Sequence, residues 1–287
     1  MEPFVQKSGS PALFSLEPWT NPDSKITAGF TGRAGGAGRT PYDSLNCAFH
    51  VGDIPEDVIK NRKLVAESLG FSLEDWTCGE QVHGSEIAVV TADDKGRGSL
   101  ERSTAFADTD GLLTDVPGVL LASFYADCVP LYFHDPVTGA VGLAHAGWKG
   151  TVAEIALSMA GRMEAVYGSR KEDIRAAIGP SIGACCYEVD DFVMDHVRRL
   201  EESLIRDEES GESLYSPSTA HIGKMMLNLK ELNRRIMIKA GILPTHIECT
   251  SWCTSCSPDL FFSYRKENGV TGRMASWIGI SSPQSGA

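Results

Sequence analysis

The sequence predicts an α+β fold, a single domain of packed mixed β-sheets flanked by helices. Strand-like and helix-like segments follow one another without the strict alternation of a doubly wound protein. The length of 287 residues lies near the upper limit for one hydrophobic core. No long linker and no internal repeat divides the chain, so we expect one domain over residues 1–287, with an ordered core at about 12–280.

The strands are predicted from short apolar segments that lie between turn residues. They cover residues 26–31, 86–91, 119–126, 141–145, 174–178 and 275–280. The segment 119–126 is predominantly apolar, which is typical of a strand buried on both faces. Residues 1–10 and 281–287 are rich in Ser, Gly and Pro, so we expect both ends to be frayed.

The helices are predicted from apolar residues at helical spacing. They cover residues 56–69, 151–167, 190–204 and 229–240. Pro55 suits the first turn of the first helix, and a Gly-rich turn at 147–150 leads into the second. The acidic segment 205–218 is expected to form an exposed loop.

Composition narrows the function to small-molecule chemistry. The formal net charge of −12 argues against nucleic-acid binding, which needs a cationic surface. No apolar run approaches the ~20 residues that cross a bilayer, and the first residues lack the pattern of a secretory signal. We therefore expect a cytoplasmic protein with no nucleic-acid, membrane or required protein partner.

The eight cysteines are expected to be reduced, because the chain shows no secretory pattern. Cys253 and Cys256 have CxxC spacing, but the sequence shows no second CxxC pair. Packing is therefore the favoured interpretation, and a structural zinc knuckle and a redox pair stay open. The adjacent Cys185 and Cys186 are interpreted as loop packing as well.

Three segments place a metal-ligating residue next to Gly or Pro at a strand end or turn: His83 in 81–84, Cys128 in 126–130 and His145 in 144–148. Two imidazoles and one thiolate form a three-ligand set. Zinc bound by such a set keeps a fourth position open, which is the catalytic arrangement. Spacing alone favours two core histidines and a buried cysteine, so the residues by themselves leave both interpretations open.

A series of short motifs, in order from about residue 26 to 280, resembles the YfiH/YlmD family, also called the laccase-domain or multicopper polyphenol oxidoreductase family. The motifs are FTGRAGG at 30–36, SLN at 44–46, HVGD at 50–53, NR at 61–62, QVHG at 81–84, ADCVP at 126–130, HAGWKG at 145–150, IGPSI at 178–182, YEV at 187–189, CT at 249–250, FFSYR at 261–265 and TGR at 271–273. The resemblance implies a single α+β domain and a zinc site on His83, Cys128 and His145, with Cu²⁺ as a possible metal. It also implies a purine nucleoside phosphorylase that uses phosphate to cleave adenosine, inosine and methylthioadenosine, and that deaminates adenosine.

The sequence departs from the family pattern in three places: Lys149 stands where Arg is commoner, Ile54 where Asp is usual, and Asp190 where Gly is common. Lys149 keeps the charge but loses the bidentate fork of an arginine. Trp148 beside it is interpreted as a core aromatic residue, with base stacking as the alternative.

A copper-dependent polyphenol oxidoreductase is the alternative function, because two His and one Cys also form the trigonal set of a blue-copper centre. A laccase also needs a trinuclear cluster, which is usually signalled by repeated His-x-His pairs. The chain has seven histidines and no His-x-His. Copper binding is therefore compatible with the sequence, whereas laccase activity is not expected. A non-catalytic protein with a vestigial site is the third class, and the intact ligand set speaks against it.

Phosphorolysis requires an anion pocket. Arg33 lies beside Gly35 and Gly36, whose backbone N–H groups could turn toward phosphate, so Arg33 is the first candidate and a plain surface turn is the alternative. Lys149 and Arg265 are the other candidates.

Asn46 and Gln81 could hold ribose hydroxyls or base edges, or they could cap backbone groups instead. Asp127 is the candidate general acid or base, because a desolvated carboxylate near a metal can be tuned for proton transfer. Consecutive strand residues point to opposite faces, so Asp127 and Cys128 share a site only if the strand breaks there, as Pro130 suggests. Otherwise we expect Asp127 to orient a histidine.

Overall fold

Two six-stranded β-sheets packed against each other form the centre of the molecule. The arrangement is that of a computed structural model, which describes residues 1–20, 25–204 and 211–282. These described residues form three sheets and five α-helices, so the predicted α+β fold of mixed sheets flanked by helices is confirmed. No helix in this described part of the chain has the length and apolar character needed to cross a membrane.

The strands are β1 (Phe4–Gln6), β2 (Leu13–Leu16), β3 (Ile26–Thr31), β4 (Trp76–Cys78), β5 (Ile87–Val89), β6 (Gly111–Thr114), β7 (Leu120–Tyr125), β8 (Val129–His134), β9 (Val141–Ala146), β10 (Arg175–Ile178), β11 (Glu188–Val189), β12 (Tyr215–Pro217), β13 (Met225–Leu227), β14 (Ile247–Cys249) and β15 (Met274–Ile280). The first sheet has the order β1-β2-β3-β15-β7-β4 and the second the order β14-β10-β8-β9-β6-β5. A small third sheet has the order β11-β13-β12. Both large sheets are mixed, because β4 pairs parallel to β7 and β5 pairs parallel to β6 within otherwise mainly antiparallel sheets.

The helices are α1 (Pro55–Ser68), α2 (Trp148–Val152), α3 (Ile155–Tyr167), α4 (Asp191–Glu201) and α5 (Leu229–Lys239). Helix α1 packs on the outer face of the first sheet through Val65 and Ala66. Helices α3, α4 and α5 cover the outer face of the second sheet. The two sheets therefore lie between α1 on one side and α3, α4 and α5 on the other, and the central strands β7, β9 and β15 are fully buried.

Strand β7 contributes to two of the three hydrophobic cores. Leu121 and Tyr125 pack between the two sheets, whereas Leu120, Ala122 and Phe124 pack beneath α1. All six residues of the strand are buried. The prediction that segment 119–126 is buried on both faces is thus confirmed.

The link between β7 and β8 carries the chain from the first sheet to the second in only three residues, 126–128. Asp127 has a φ of 85°, in the left-handed region, which ends the extended backbone at this point. The predicted strand break is confirmed, but its cause differs from the one expected. Pro130 lies inside β8, paired with His145, and does not break the strand.

The predicted helix 151–167 is two helices in the structure. It is interrupted between α2 and α3, where Glu154 has a φ of 55°. The left-handed backbone cannot continue a right-handed helix. At this interruption, the Glu154 carboxylate accepts a hydrogen bond from Lys239 of α5 at 2.6 Å.

The predicted loop 205–218 is only partly described, since residues 205–210 lie outside the described part of the chain. Residues 215–217 form β12 and are not loop. The strands missed by the sequence analysis have mostly two to four residues. Segments of that length are too short to show a hydrophobic period.

The N-terminal residues form strand β1 and do not fray as expected. Phe4 is fully buried, and its ring lies 5.4 Å from that of Tyr132. The Glu2 carboxylate accepts hydrogen bonds from Ser251, through the backbone N–H and the hydroxyl, both at 2.7 Å. The ordered core therefore begins before residue 12. At the other end, residues 283–287 lie outside the described residues.

Phe4→Ala is expected to destabilise the fold by roughly 3–5 kcal/mol, the usual cost of emptying a buried phenylalanine site. Urea unfolding followed by tryptophan fluorescence measures this free energy. Val5→Ala is the matched control, because Val5 is 41% exposed and should cost far less. Equal and small effects of the two changes would contradict the burial of β1.

Candidate metal centre and active site

His83, Cys128 and His145 come together in the structure, although they lie on three separate segments. Their candidate ligand atoms are all within 4.8 Å of one another. His83 follows β4, Cys128 ends the link after β7, and His145 lies in β9. The two imidazole rings meet edge to face, with centroids 4.8 Å apart. This donor set, two nitrogens and one sulfur, could hold a metal ion and leave a coordination position free.

Asp110 holds two of the three ligands in place. One carboxylate oxygen lies 2.8 Å from His145 Nδ1, and the same carboxylate accepts hydrogen bonds from the backbone N–H groups of residues 82–84 at 2.7 to 3.1 Å. The contact with Nδ1 leaves Nε2 of His145 for the ligand cluster. The three backbone contacts fix the turn at His83, whose φ is 63°.

Asp110 was missed by the sequence analysis, which offered Asp127 as the carboxylate that orients a histidine. That alternative is wrong, because the hydrogen bonds of the Asp127 carboxylate go elsewhere. Asp110 is 1% exposed and immediately precedes β6. Burial alone would raise its pKa, but the hydrogen bonds and charge of His145 and the backbone N–H donors lower it, so the carboxylate is ionised.

Cys128 and His145 each shift the pKa of the other toward its charged form. Burial acts to raise the pKa of Cys128, but the charge of His145 and the hydrogen bonds from both histidines outweigh it and lower this pKa to about 6. Burial acts to lower the pKa of His145, but the Cys128 thiolate and Asp110 raise it to about 9. These shifts favour the thiolate that a metal needs, and a metal bound to the imidazole would displace its proton.

Gly147 lets the ligands pack directly against the backbone. A Cβ atom at this position would lie 2.9 Å from Cδ2 of His83 and 3.1 Å from Sγ of Cys128. Any side chain here would push against both ligands. The glycine after β9 is therefore a requirement of the cluster itself.

The cluster lies in the wall of a cavity of about 610 Å³. This volume is in the range of pockets that enclose small organic ligands. The lining also includes five aromatic and five cationic side chains: Phe49, Phe124, Trp148, Tyr187, Tyr264, Arg62, Arg102, Lys149, Arg265 and Arg273. Flat apolar surfaces and positive charge thus meet beside the candidate metal ligands.

The lowered pKa of His50 shows that one part of this cavity is positively charged. Burial, the largest cause, and repulsion by Arg273, Arg102 and Arg62 together lower its pKa to about 4. Three guanidinium groups therefore act on one imidazole, which stays neutral. In a chain of net charge −12, this is a local basic region.

All three of these arginines already have hydrogen-bond or ion-pair partners. The fully buried Arg62 donates to the carbonyls of Cys47, Gly98 and Ser99. Arg102 forms an ion pair with Glu80. Arg273 bonds to the carbonyls of residues 271 and 272 through Nη1. Burial lowers the pKa of Arg273, and the negative charge of Cys128 partly opposes this effect. Arg273 therefore lies within electrostatic reach of Cys128.

Lys149 and Trp148 line another part of the cavity. The exposed Lys149 ammonium lies 5.8 Å from the centre of the Trp148 ring. Among the described residues it has no ion-pair partner. Trp148 is partly buried and packs edge-on against Phe192 and His196, so it is neither a plain core residue nor a free stacking platform.

Asp127 and Arg265 connect several loops in the cavity wall through hydrogen bonds. The Asp127 carboxylate accepts from the Thr254 hydroxyl at 2.6 Å and from the backbone N–H of Arg265 at 2.7 Å. The Arg265 guanidinium donates to the carbonyls of Cys186 and Glu188. Both residues line the cavity, but the charged groups of both are engaged in joining loops.

Gln81 and Asn46 cap backbone groups, which was the alternative offered for both. The Gln81 amide exchanges two hydrogen bonds with the backbone of Phe124, at 2.8 and 3.0 Å. The fully buried Asn46 bonds to the backbone N–H and C=O of Ala48 and accepts from the N–H of Arg273. Gln81 lines the cavity, whereas Asn46 does not.

Arg33, like Asn46, is a predicted site residue that does not line the cavity. Its guanidinium donates to the carbonyl of Pro258 at 2.8 Å and pairs with Glu267 at 3.0 Å. The same group lies 4.7 Å from the centre of the Phe262 ring. Its contacts brace the segment 258–267.

Asp110→Asn is expected to weaken metal binding by roughly 10–100-fold, the usual effect of removing a carboxylate that orients a ligating histidine. Competition with a fluorescent zinc chelator measures this affinity. Asp108→Asn is the control, because Asp108 is exposed and asparagine tolerates its φ of 49°. An unchanged affinity for Asp110→Asn would refute the orienting contact.

Comparison with known proteins agrees with this geometry. A family model described as multi-copper polyphenol oxidoreductase laccase matches residues 27–281. Purine nucleoside phosphorylase YlmD of Bacillus subtilis is 42% identical over 274 residues, which cover 94% of this chain and 95% of that protein. The YlmD protein of Geobacillus stearothermophilus, of the same name, is 45% identical over 260 residues, covering 90% and 91%.

The crystal structure of the hypothetical protein YfiH of Bacillus licheniformis superposes with a TM-score of 0.88 at 44% identity, covering 96% of this chain and 99% of that one. The resemblance drawn from the motifs is thereby confirmed. The chain belongs to the multi-copper polyphenol oxidoreductase laccase family, the family of the YfiH and YlmD proteins.

Proposed function

We propose that the chain is a zinc-dependent purine nucleoside phosphorylase of the cytoplasm, which cleaves adenosine, inosine and methylthioadenosine with phosphate and also deaminates adenosine. The observation that carries the proposal is the ligand cluster in the wall of a cavity that combines aromatic and cationic side chains. The name purine nucleoside phosphorylase, carried by relatives of 42% and 45% identity, supports the same reaction.

His83, Cys128 and His145 would hold the zinc ion. Their chemistry suits zinc, which binds His nitrogen and Cys thiolate in catalytic sites with three protein ligands. When bound, the ion supplies a Lewis acid with one coordination position open to a water or a substrate atom. Asp110 would orient His145 toward the ion, because its contact with Nδ1 leaves Nε2 as the nitrogen available to a metal.

The purine would lie against the aromatic walls of the cavity. Tyr264 is 55% exposed, which leaves ring surface open for stacking. Trp148 offers its remaining open surface beside Lys149. Stacking on a base contributes roughly 1–3 kcal/mol and tolerates different purines, which fits a broad choice among adenosine, inosine and methylthioadenosine.

We place phosphate at Arg273 rather than at Arg33. A multivalent anion inside a protein needs local cations and donors to offset its desolvation. Arg273 lines the cavity and acts electrostatically on both His50 and Cys128, so phosphate there would lie close to the metal. Arg33 lies outside the cavity, and both terminal nitrogens of Arg265 are bonded to carbonyls.

Asp127 fits a positioning residue better than a general acid or base. Each of its oxygens already accepts a short hydrogen bond, from Thr254 and from the backbone of Arg265. A carboxylate that transferred protons would have to give up one of these contacts in each turnover. We assign it to holding the Arg265 segment against the β7–β8 link.

Polyphenol oxidation by copper is the second candidate function. The His₂Cys set could bind copper. Within residues 1–20, 25–204 and 211–282, however, the side-chain groups suited to a metal are this set and a four-cysteine group, and neither is the histidine cluster of a laccase. Oxygen uptake by the copper-loaded protein with a phenol would favour this function over phosphorolysis.

Arg273→Ala is expected to raise the KM for phosphate and to slow adenosine phosphorolysis by about tenfold for each ~1.4 kcal/mol of lost stabilisation. Adenosine deamination needs no phosphate and should lose less. The assay measures inosine, adenine, hypoxanthine and ribose 1-phosphate at several phosphate concentrations, with inosine plus hypoxanthine reporting deamination.

Arg39→Ala is the control for Arg273→Ala, because it removes the same charge from an exposed position. Base release that does not depend on phosphate would mean that the enzyme hydrolyses nucleosides. Equal losses of both activities in Arg273→Ala would place this residue in the framework of the cavity instead.

Cys128→Ala is expected to abolish both activities, because two imidazoles alone bind zinc much more weakly. Activity would be assayed in buffers treated to remove free metal. Cys249→Ala is the matched control, since Cys249 is an exposed thiol that does not line the cavity. Full phosphorolysis by Cys128→Ala would separate the reaction from the metal.

A further inference from the structure

Four cysteines that the candidate active site does not use converge at a second place. The sulfur atoms of Cys185, Cys186, Cys253 and Cys256 all lie within 4.8 Å of one another. Cys256 Sγ is 3.4 Å from the sulfurs of both Cys185 and Cys186. The sequence analysis favoured packing because the CxxC pair showed no partner pair. In the structure, the adjacent Cys185 and Cys186 form the partner pair of Cys253 and Cys256.

The backbone around the four sulfurs is arranged as two facing turns. The turn at 183–187 is closed by hydrogen bonds from the N–H groups of Cys186 and Tyr187 to the carbonyl of Gly183. The turn at 253–257 is closed by a hydrogen bond from Ser257 N–H to the Cys253 carbonyl. The N–H of Gly183 points at Cys253 Sγ across the gap, at 3.2 Å, and would stabilise negative charge on this sulfur.

The spacing of the sulfurs matches a single bound ion better than a disulfide. A disulfide brings two sulfurs to about 2.05 Å, well below the 3.4 Å seen here. A tetrahedral ion with metal–sulfur bonds of about 2.3 Å holds its four sulfurs about 3.8 Å apart. The observed range, from 3.4 Å to at most 4.8 Å, brackets this value.

We propose that Cys185, Cys186, Cys253 and Cys256 bind a second zinc ion as a closed, structural site. Four thiolates fill the coordination sphere of zinc and leave no position for a substrate, which distinguishes this site from the three-ligand cluster. The Cys253-x-x-Cys256 spacing is that of a zinc-binding turn. None of the four cysteines lines the cavity.

The second ion would join two segments that form the cavity wall. Tyr187 follows Cys186 directly and lines the cavity. The segment after Cys256 leads to Arg265, whose guanidinium donates back to the carbonyl of Cys186. Thr254, between the two cysteines of the CxxC pair, donates to Asp127 next to the metal ligand Cys128. The ion would therefore set the position of the wall without touching the substrate.

Zinc content of the protein purified without added metal tests the proposal. We expect two zinc ions per wild-type chain, one in Cys128→Ala and one in the double variant Cys253→Ser/Cys256→Ser. Cys249→Ser is the control and should keep two, because this exposed thiol lies outside both groups. One ion in the wild type and none in Cys128→Ala would overturn the proposal.

Cobalt substitution of the Cys128→Ala variant gives a second readout. This variant keeps all four cysteines, so the test does not require the double variant to fold. We expect one Co²⁺ per chain, with the intense thiolate-to-cobalt absorption and visible bands of a tetrahedral tetrathiolate site. Intact-mass analysis of the same protein should show no disulfide. Absence of these bands, or a disulfide among the four cysteines in place of the metal, would refute the site. Neither readout depends on phosphorylase activity, so this test stands whether or not the proposed reaction is correct.

Discussion

The candidate active site depends on one buried carboxylate. Asp110 is almost completely shielded from water and accepts hydrogen bonds from three consecutive backbone N–H groups and from an imidazole. A buried charge without partners is very unfavourable, so the ionised carboxylate requires all of these donors. The donors in turn are the groups that present His83 and His145. The hydrogen bonds that stabilise the charge of Asp110 therefore fix the turn after β4 relative to strand β9.

The two-sheet architecture explains why the third ligand meets the other two. Residues 126–128 pass from the first sheet to the second, and the left-handed backbone at Asp127 makes this passage possible in three residues. Strand β7, which leads into the passage, is fixed by side chains in two cores. Cys128 is thus positioned by the packing of β7 before it in the chain and by the pairing of β8 with β9 after it.

Several features could be predicted from the sequence because their signals are local. The long strands and helices show their period within one segment, and the three candidate metal ligands lie in motifs that a family resemblance identifies. Asp110 had no such signal, since an Asp before Gly at a strand start is also an ordinary turn. Arg273, which was not among the predicted anion-binding residues, could not be preferred to Arg33 from the sequence either. Both arginines lie in Gly-containing turns, and only the packing of loops distant in sequence decides which turn faces the cavity. The meeting of Cys186 with Cys256, 70 residues later, is a tertiary contact of the same kind.

The separation of the three ligands along the chain has a consequence for how the protein matures. His83, Cys128 and His145 share no local segment, and they converge only where the two large sheets meet. An unfolded or partly synthesised chain therefore offers no preformed site at these residues, and the free energy of metal binding is available only after the sheets have closed. Loading of this centre would then be a late event in biogenesis, and the ion would stabilise the finished fold without guiding the chain toward it.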